Sequence, residues 1–262
     1  MDTNDKSPYT QPDPMRWIYV SPHFDDAVLS CGGLIWEQTH TGIPVEIWTI
    51  CAGDPPPGPI SPFAQAMQED WKTGTAQETV ALRRIEDQKA CRRVGAQAVH
   101  FSVPDCIYRR SQTGSLLYPD GIFGGPSPRD NAVIDEIVEL VSSKLNQYDT
   151  LVCPLTIGRH VDHLNVRAAL ERLGRPLWYY ADIPYFFRNP DELAETSIGL
   201  GTKNFYVSAE GLQAWQESIA AHKSQINMLF VDDVDMRQKI REYAQRFDGL
   251  RLWEREQNLI NA

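Results

Sequence analysis

The chain has 262 residues, 42% hydrophobic and 23% charged, the make-up of a globular protein long enough for one large α/β domain. A formal net charge of −10, with no lysine- or arginine-rich stretch, excludes a nucleic-acid groove and a basic membrane-docking face. Five scattered cysteines without a C-x-x-C pair make a poor disulfide framework and fit a reducing compartment.

Residues 1–14 are polar and proline-bearing, and are expected to be a disordered lead-in. They lack a basic n-region and an apolar h-region, and no apolar run approaches the roughly 20 residues of a membrane span. A cytoplasmic location is therefore expected. Trp17 to Val20 reads as a strand, about Val28 to His40 as a helix, and Val45 to Cys51 as a second strand. That unit has the length of a βαβ crossover, which predicts a parallel sheet. Residues 53–78, with Pro55-Pro56-Pro57-Gly58-Pro59, form an irregular stretch. A helix from Gln77 to Val94 follows, with Gly95 as its C-cap, then a strand at Val99 to Val103.

A second irregular stretch covers 104–129. Asn131 to Asn146 carries apolar residues at helical spacing, Thr150 to Leu155 reads as a buried strand, and Val166 to Leu173 as a helix. Strands are expected at 176–180 and 204–207, and the C-terminal third is expected to be mainly helical. No repeat or linker divides the chain. The fold expected is α/β, a single doubly wound Rossmann-like domain over 15–262 with three layers and a mostly parallel sheet.

Two short segments carry chemistry. Ser21-Pro22-His23-Phe24-Asp25-Asp26-Ala27 follows the first strand, and Arg159-His160-Val161-Asp162-His163 follows the strand ending near Leu155. Both lie at the carboxyl ends of strands, where ligand sites of open α/β sheets form. Together they offer three histidines and three aspartates. A catalytic metal needs about three such N or O ligands and one open position. A further carboxylate would take a proton from water, and a further histidine would stabilise an oxyanion or protonate a leaving amine.

The first segment, PHFDDAVLSCGG, resembles the HPDDE-type signature of the LmbE/PIG-L deacetylases, and HVDH resembles their HPDH signature. Members of that family remove N-acetyl groups, often from glucosamine-containing conjugates, using zinc. The resemblance implies that His23, Asp26 and His163 are metal ligands and Asp25 the general base. It implies that His160 stabilises the oxyanion or acts as acid, with Asp162 orienting it. One zinc per chain is expected, with iron or cobalt as alternatives, because two nitrogens and a carboxylate suit several divalent ions. Leu82-Arg83-Arg84-Ile85-Glu86 resembles the family's R-x-x-E helix and Val103-Pro104-Asp105 its strand-terminal PD, so Arg83 and Asp105 are candidate substrate-binding residues. His222-Lys223-Ser224-Gln225 resembles a late motif. Phe24, Ala27 and Val161 depart from the family's proline, glutamate and proline.

Other readings stand beside these. Asp25 or Asp26 would serve equally as the N-cap of the first helix. Arg83 would pair with Glu86 on an exposed face as readily as bind a hydroxyl, and Asp105 would as readily cap a turn. The function implied is zinc-dependent removal of an N-acyl group from a small acylated amino sugar or conjugate, without nucleic-acid or membrane partners. A hydratase or lyase on the same fold and a metal-stabilised binding module are the alternatives. Assembly into a homo-oligomer stays open.

Overall fold

The computed structural model describes residues 15–255, so the expected lead-in at 1–14 lies outside the described residues. The first half contains β1 (Trp17–Ser21), α1 (Asp26–His40), β2 (Val45–Thr49), α2 (Pro62–Asp70), α3 (Ala76–Arg93) and β3 (Gln97–His100). Next come α4 (Ala132–Ser142), β4 (Thr150–Pro154), α5 (Val161–Arg172), β5 (Leu177–Tyr180), α6 (Tyr185–Arg188) and α7 (Glu192–Thr196). The last part is β6 (Leu200–Phe205), α8 (Ala209–Ile219), α9 (Ile226–Leu229), α10 (Asp233–Phe247) and β7 (Leu250–Arg255).

Among the described residues, seven strands form one sheet in the order β3-β2-β1-β4-β5-β7-β6. The first five pair in parallel, while β7 runs antiparallel to both its neighbours. Ile18, Tyr19 and Val20 of β1 and Leu151, Val152 and Cys153 of β4 are fully buried. Such unbroken apolar runs mark central strands covered on both faces. From β1 the chain builds outward through β2 and β3, then returns to the other side of β1 with β4. The strand order therefore reverses between β1 and β4, and a crevice opens there at their carboxyl ends.

Trp215 of α8 fixes α1 over that crevice. It is fully buried, and its indole N–H donates to the carbonyls of Val28 and Leu29 at 2.9 and 3.1 Å. A Cβ at Gly32 would lie 2.5 Å from Trp215 Cδ1, and one at Gly33 2.9 Å from Cε3. Only glycine lets the indole approach this closely. Helix α3 starts at a capping box formed by Thr75 and Glu78. Its inward face mixes Val80 and Ala90 with Arg83, Glu86 and Asp87, all buried.

The parallel α/β architecture agrees with expectation, and several local features differ. Helix α2 lies within the stretch read as irregular. Ser61 caps it, accepting the Ala64 N–H at 3.0 Å, with Pro62 in the first turn. Only Ala64 and Gln68 are buried, so it shows little apolar periodicity. Helix α5 begins at Val161, on the motif itself, and β6 begins at Leu200. Strand β7 replaces a helical reading: α10 ends at Asp248 (φ 50°) and Gly249 (φ 123°), and Leu250 and Leu252 then turn into the core.

Candidate metal centre

The connection from β1 to α1 is tied by Ser21. Its hydroxyl donates to the His23 carbonyl at 2.5 Å and accepts the Ala27 N–H at 3.0 Å. Asp25 occupies the N-cap position, yet its side chain makes no capping hydrogen bond. Asp26 Oδ2 accepts the His23 backbone N–H at 2.7 Å. Ser21 thus does the capping, and both aspartate side chains are left to the crevice.

The loop after β4 is strained. Thr156 and Arg159 are left-handed at φ 70° and 55°, with Gly158 at 85° between them, a conformation costing a non-glycine residue about 1–2 kcal/mol. Two carboxylates hold it: Asp182 accepts the Ile157 N–H at 3.0 Å and Glu192 the Gly158 N–H at 2.6 Å. His160 then caps α5, its Nδ1 accepting the Asp162 N–H at 3.2 Å.

These two turns bring the motifs together. Asp26 Oδ2 lies 3.3 Å from His23 Nδ1 and 3.3 Å from His163 Nε2. His163 Nδ1 is 2.7 Å from Asp182 Oδ1, which places a proton there and turns Nε2 inward. That Nε2 is buried and makes no well-formed hydrogen bond among the described residues. Ring nitrogens of His23, His160 and His163 lie within 4.8 Å of one another. Two imidazoles flanking one carboxylate oxygen, one with an orphaned ring nitrogen, fit a divalent cation by donor chemistry and by burial.

The electrostatics follow from this crowding. Burial alone would lower the His163 pKa, but Asp26 and Asp182 outweigh it and bring it up to about 9. Burial pushes Asp26 up, and His163 and His23 more than reverse that, leaving it well below the usual carboxylate range. His160 moves the other way: burial, then His23 and His163, press it well below an ordinary histidine.

Asp25, His160, Arg83, Asp105, Trp71 and Met228 are among the side chains lining the cavity in front of these groups. Arg83 Nη2 is 3.6 Å from Asp25 and Nη1 3.9 Å from Asp105, and the guanidinium sits over the Trp71 ring at 5.0 Å. Arg83 is therefore not paired with Glu86, which accepts the Ser224 N–H and hydroxyl at 3.0 and 2.6 Å. Asp105 takes up the capping reading. Oδ1 accepts the Ile107 N–H at 3.2 Å, while Oδ2 is 3.9 Å from His23 Nε2.

One expectation needs correction. The Asp162 carboxylate does not orient His160, whose Nδ1 is occupied by the backbone of α5. It lies 3.0 Å from His23 Nε2 instead and accepts the Cys106 N–H at 3.0 Å. Sequence reasoning missed Asp182, although an acid directly after the apolar β5 was a visible signal. It also missed Trp71 on the edge of α2 and Arg109, which lie in irregular stretches without a motif. No helix among the described residues is long and apolar enough to cross a membrane.

Residues 18–173 match the protein family described as PIG-L, GlcNAc-PI de-N-acetylase. The 2'-N-acetylparomamine deacetylase of Niallia circulans is 29% identical over 240 residues, 85% of each chain. The zinc-inhibited form of the teicoplanin deacetylase Orf2 superposes with a TM-score of 0.81, covering 93% of this chain and 100% of that one at 24% identity. The 4-carboxy-2-hydroxymuconate hydratase GalB of Pseudomonas putida shares the fold at a TM-score of 0.57 and 13% identity, over 95% and 99% of the two chains.

Proposed function

The chain belongs to the PIG-L (LmbE-like) family, and from that premise we propose that it is a metal-dependent N-deacetylase of a small acetylated amino sugar or sugar conjugate. The observation that carries this reading is the Asp26 oxygen set 3.3 Å from a nitrogen of His23 and 3.3 Å from the orphaned nitrogen of His163. His23, Asp26 and His163 would hold one ion, zinc in keeping with the family resemblance, with iron(II) or cobalt(II) also compatible with these donors. Bound there, such an ion supplies Lewis acidity and makes water ionisable near neutral pH.

The chain's own groups complete the reaction. Asp25, free of any capping bond, removes the proton from the attacking water, and Arg83 at 3.6 Å orients its carboxylate. Because His160 Nδ1 accepts a backbone N–H, its proton sits on Nε2, which can donate to the carbonyl oxygen as negative charge develops. The proton held by Asp25 then passes to the departing nitrogen, giving acetate and a free amine. Arg83 and Asp105, which line the same cavity as His160, offer a donor and an acceptor to sugar hydroxyls, and the Trp71 ring offers a stacking face.

An amino-sugar substrate is supported by the paromamine deacetylase, which is similar along most of both chains. Fold likeness to GalB carries no reaction with it, and a purely structural ion would require neither Asp25 nor His160. The deciding experiment measures acetate released from a panel of N-acetylated amino sugars and conjugates by zinc-loaded enzyme and its Asp25→Asn variant. Wild type should release acetate, and the variant should retain zinc while losing about 10²–10⁴ in rate. Water addition to an unsaturated acid without acetate release would move the assignment to a hydratase.

A further inference from the structure

Beneath the metal motif runs a buried ion-pair chain that begins in the irregular stretch after β3. Arg109 is 6% exposed and does not line the cavity. Its Nε donates to Asp130 Oδ2 at 3.1 Å, and its Nη2 to the same oxygen at 2.7 Å. Nη2 also meets Asp162 Oδ1 at 2.5 Å, and Nη1 donates to the Pro104 carbonyl at 3.1 Å. Asp130 is fixed further by the Tyr118 hydroxyl at 2.7 Å and the Asn165 amide at 3.3 Å. Asp162, fully buried, presents Oδ2 to His23 Nε2 at 3.0 Å.

A carboxylate with no exposure keeps its charge only beside a compensating cation. Among the described residues, Arg109 is the one permanently charged group in contact with Asp162. Its planar fork spans Asp130 and Asp162 at once, which a lysine ammonium cannot reproduce. A charged Asp162 accepts a hydrogen bond from His23 Nε2–H, and that contact fixes the ring with Nδ1 facing Asp26. Partners of this kind set the orientation and basicity of a ligating imidazole.

We propose that Arg109 is a positioning residue for the metal centre, acting through Asp162 to hold the His23 ring with Nε2 bonded to that carboxylate and Nδ1 turned toward Asp26. The inference rests on the metal reading given above. It also gives the stretch 104–130 a task beyond bordering the cavity: it anchors a ligand from behind.

The test is zinc affinity by chelator competition on full-length protein, for wild type, Arg109→Met, Asp162→Asn and the double variant. Imidazole 15N shifts of the metal-free forms and near-UV circular dichroism are recorded alongside. Arg109→Met should weaken zinc roughly 10–100-fold and shift the His23 imidazole 15N signals from their wild-type positions. In the double variant, removing Arg109 should add little to the loss of zinc affinity in Asp162→Asn, because the path from Arg109 to His23 is already broken. Wild-type affinity in folded Arg109→Met, or fully additive losses in the double variant, would overturn the proposal. If Arg109→Met does not fold, Asp162→Asn decides: undiminished zinc affinity there refutes the chain's role. A wild type that binds no zinc overturns the metal reading instead, and the His23 15N shifts then report separately on whether Arg109 positions the ring.

Discussion

Asp182 shows how far a residue's role can depend on one contact. At 2.7 Å from His163 Nδ1 it fixes the ring orientation, and its other oxygen holds the strained loop through Ile157. Asp182→Asn should lower zinc affinity by roughly 10–100-fold, measured by chelator competition, and unchanged affinity would mean that the loop alone orients the ring. His160 makes a different prediction, because its Nε2–H is expected to act only as charge develops. His160→Ala should reduce kcat by about 10²–10³ with little change in KM. A rise in KM at constant kcat would place His160 in ground-state binding. The motifs made both histidines visible in the sequence. They did not reveal that the Asp162 carboxylate serves His23, because a two-residue spacing does not say which ring lies beneath it.

Element packing explains why the helix after the metal motif carries two glycines. Trp215 occupies the space where side chains at Gly32 and Gly33 would stand, and it hydrogen-bonds to the carbonyls of α1. Gly32→Val would force the indole or the helix to move and should destabilise the fold by about 1–3 kcal/mol, visible as a lower urea midpoint. An unshifted midpoint would show that α8 can retreat without loss. Helices α1, α3 and α4 and the central strands were legible from apolar periodicity and end signals. Helix α2 and strand β7 were not. The first buries too few apolar residues to show a period, and the second follows α10 after a turn of only two residues, Asp248 and Gly249.

On the scale of the molecule, the site joins distant parts of the chain. His23 and Asp26 follow β1, Asp105 follows β3, His160 and His163 follow β4, Asp182 follows β5, and Met228 lies in α9. An ion held among the first of these binds only the folded chain, so it should stabilise the whole domain. At free zinc 100 times Kd the gain is about 2.7 kcal/mol, and metal removal should lower Tm by roughly 5–10 °C. Calorimetry of stripped and reloaded protein checks this, and an identical Tm would argue that the ion is bound weakly or not at all.

The sequence by itself determined the alternation of strands and helices, the parallel core and the two motif-bearing turns. Apolar runs, cap residues and ligand types are local properties, and each is written within a few neighbouring positions. The tertiary structure alone decided which carboxylate meets which ring, that Arg83 turns into the cavity toward Asp25 rather than to Glu86, and that Arg109 and Asp182 stand behind His23 and His163. Those pairings join residues separated by as many as 139 positions. They arise where the strand order reverses between β1 and β4, and no local pattern encodes the neighbours that such a crevice assembles.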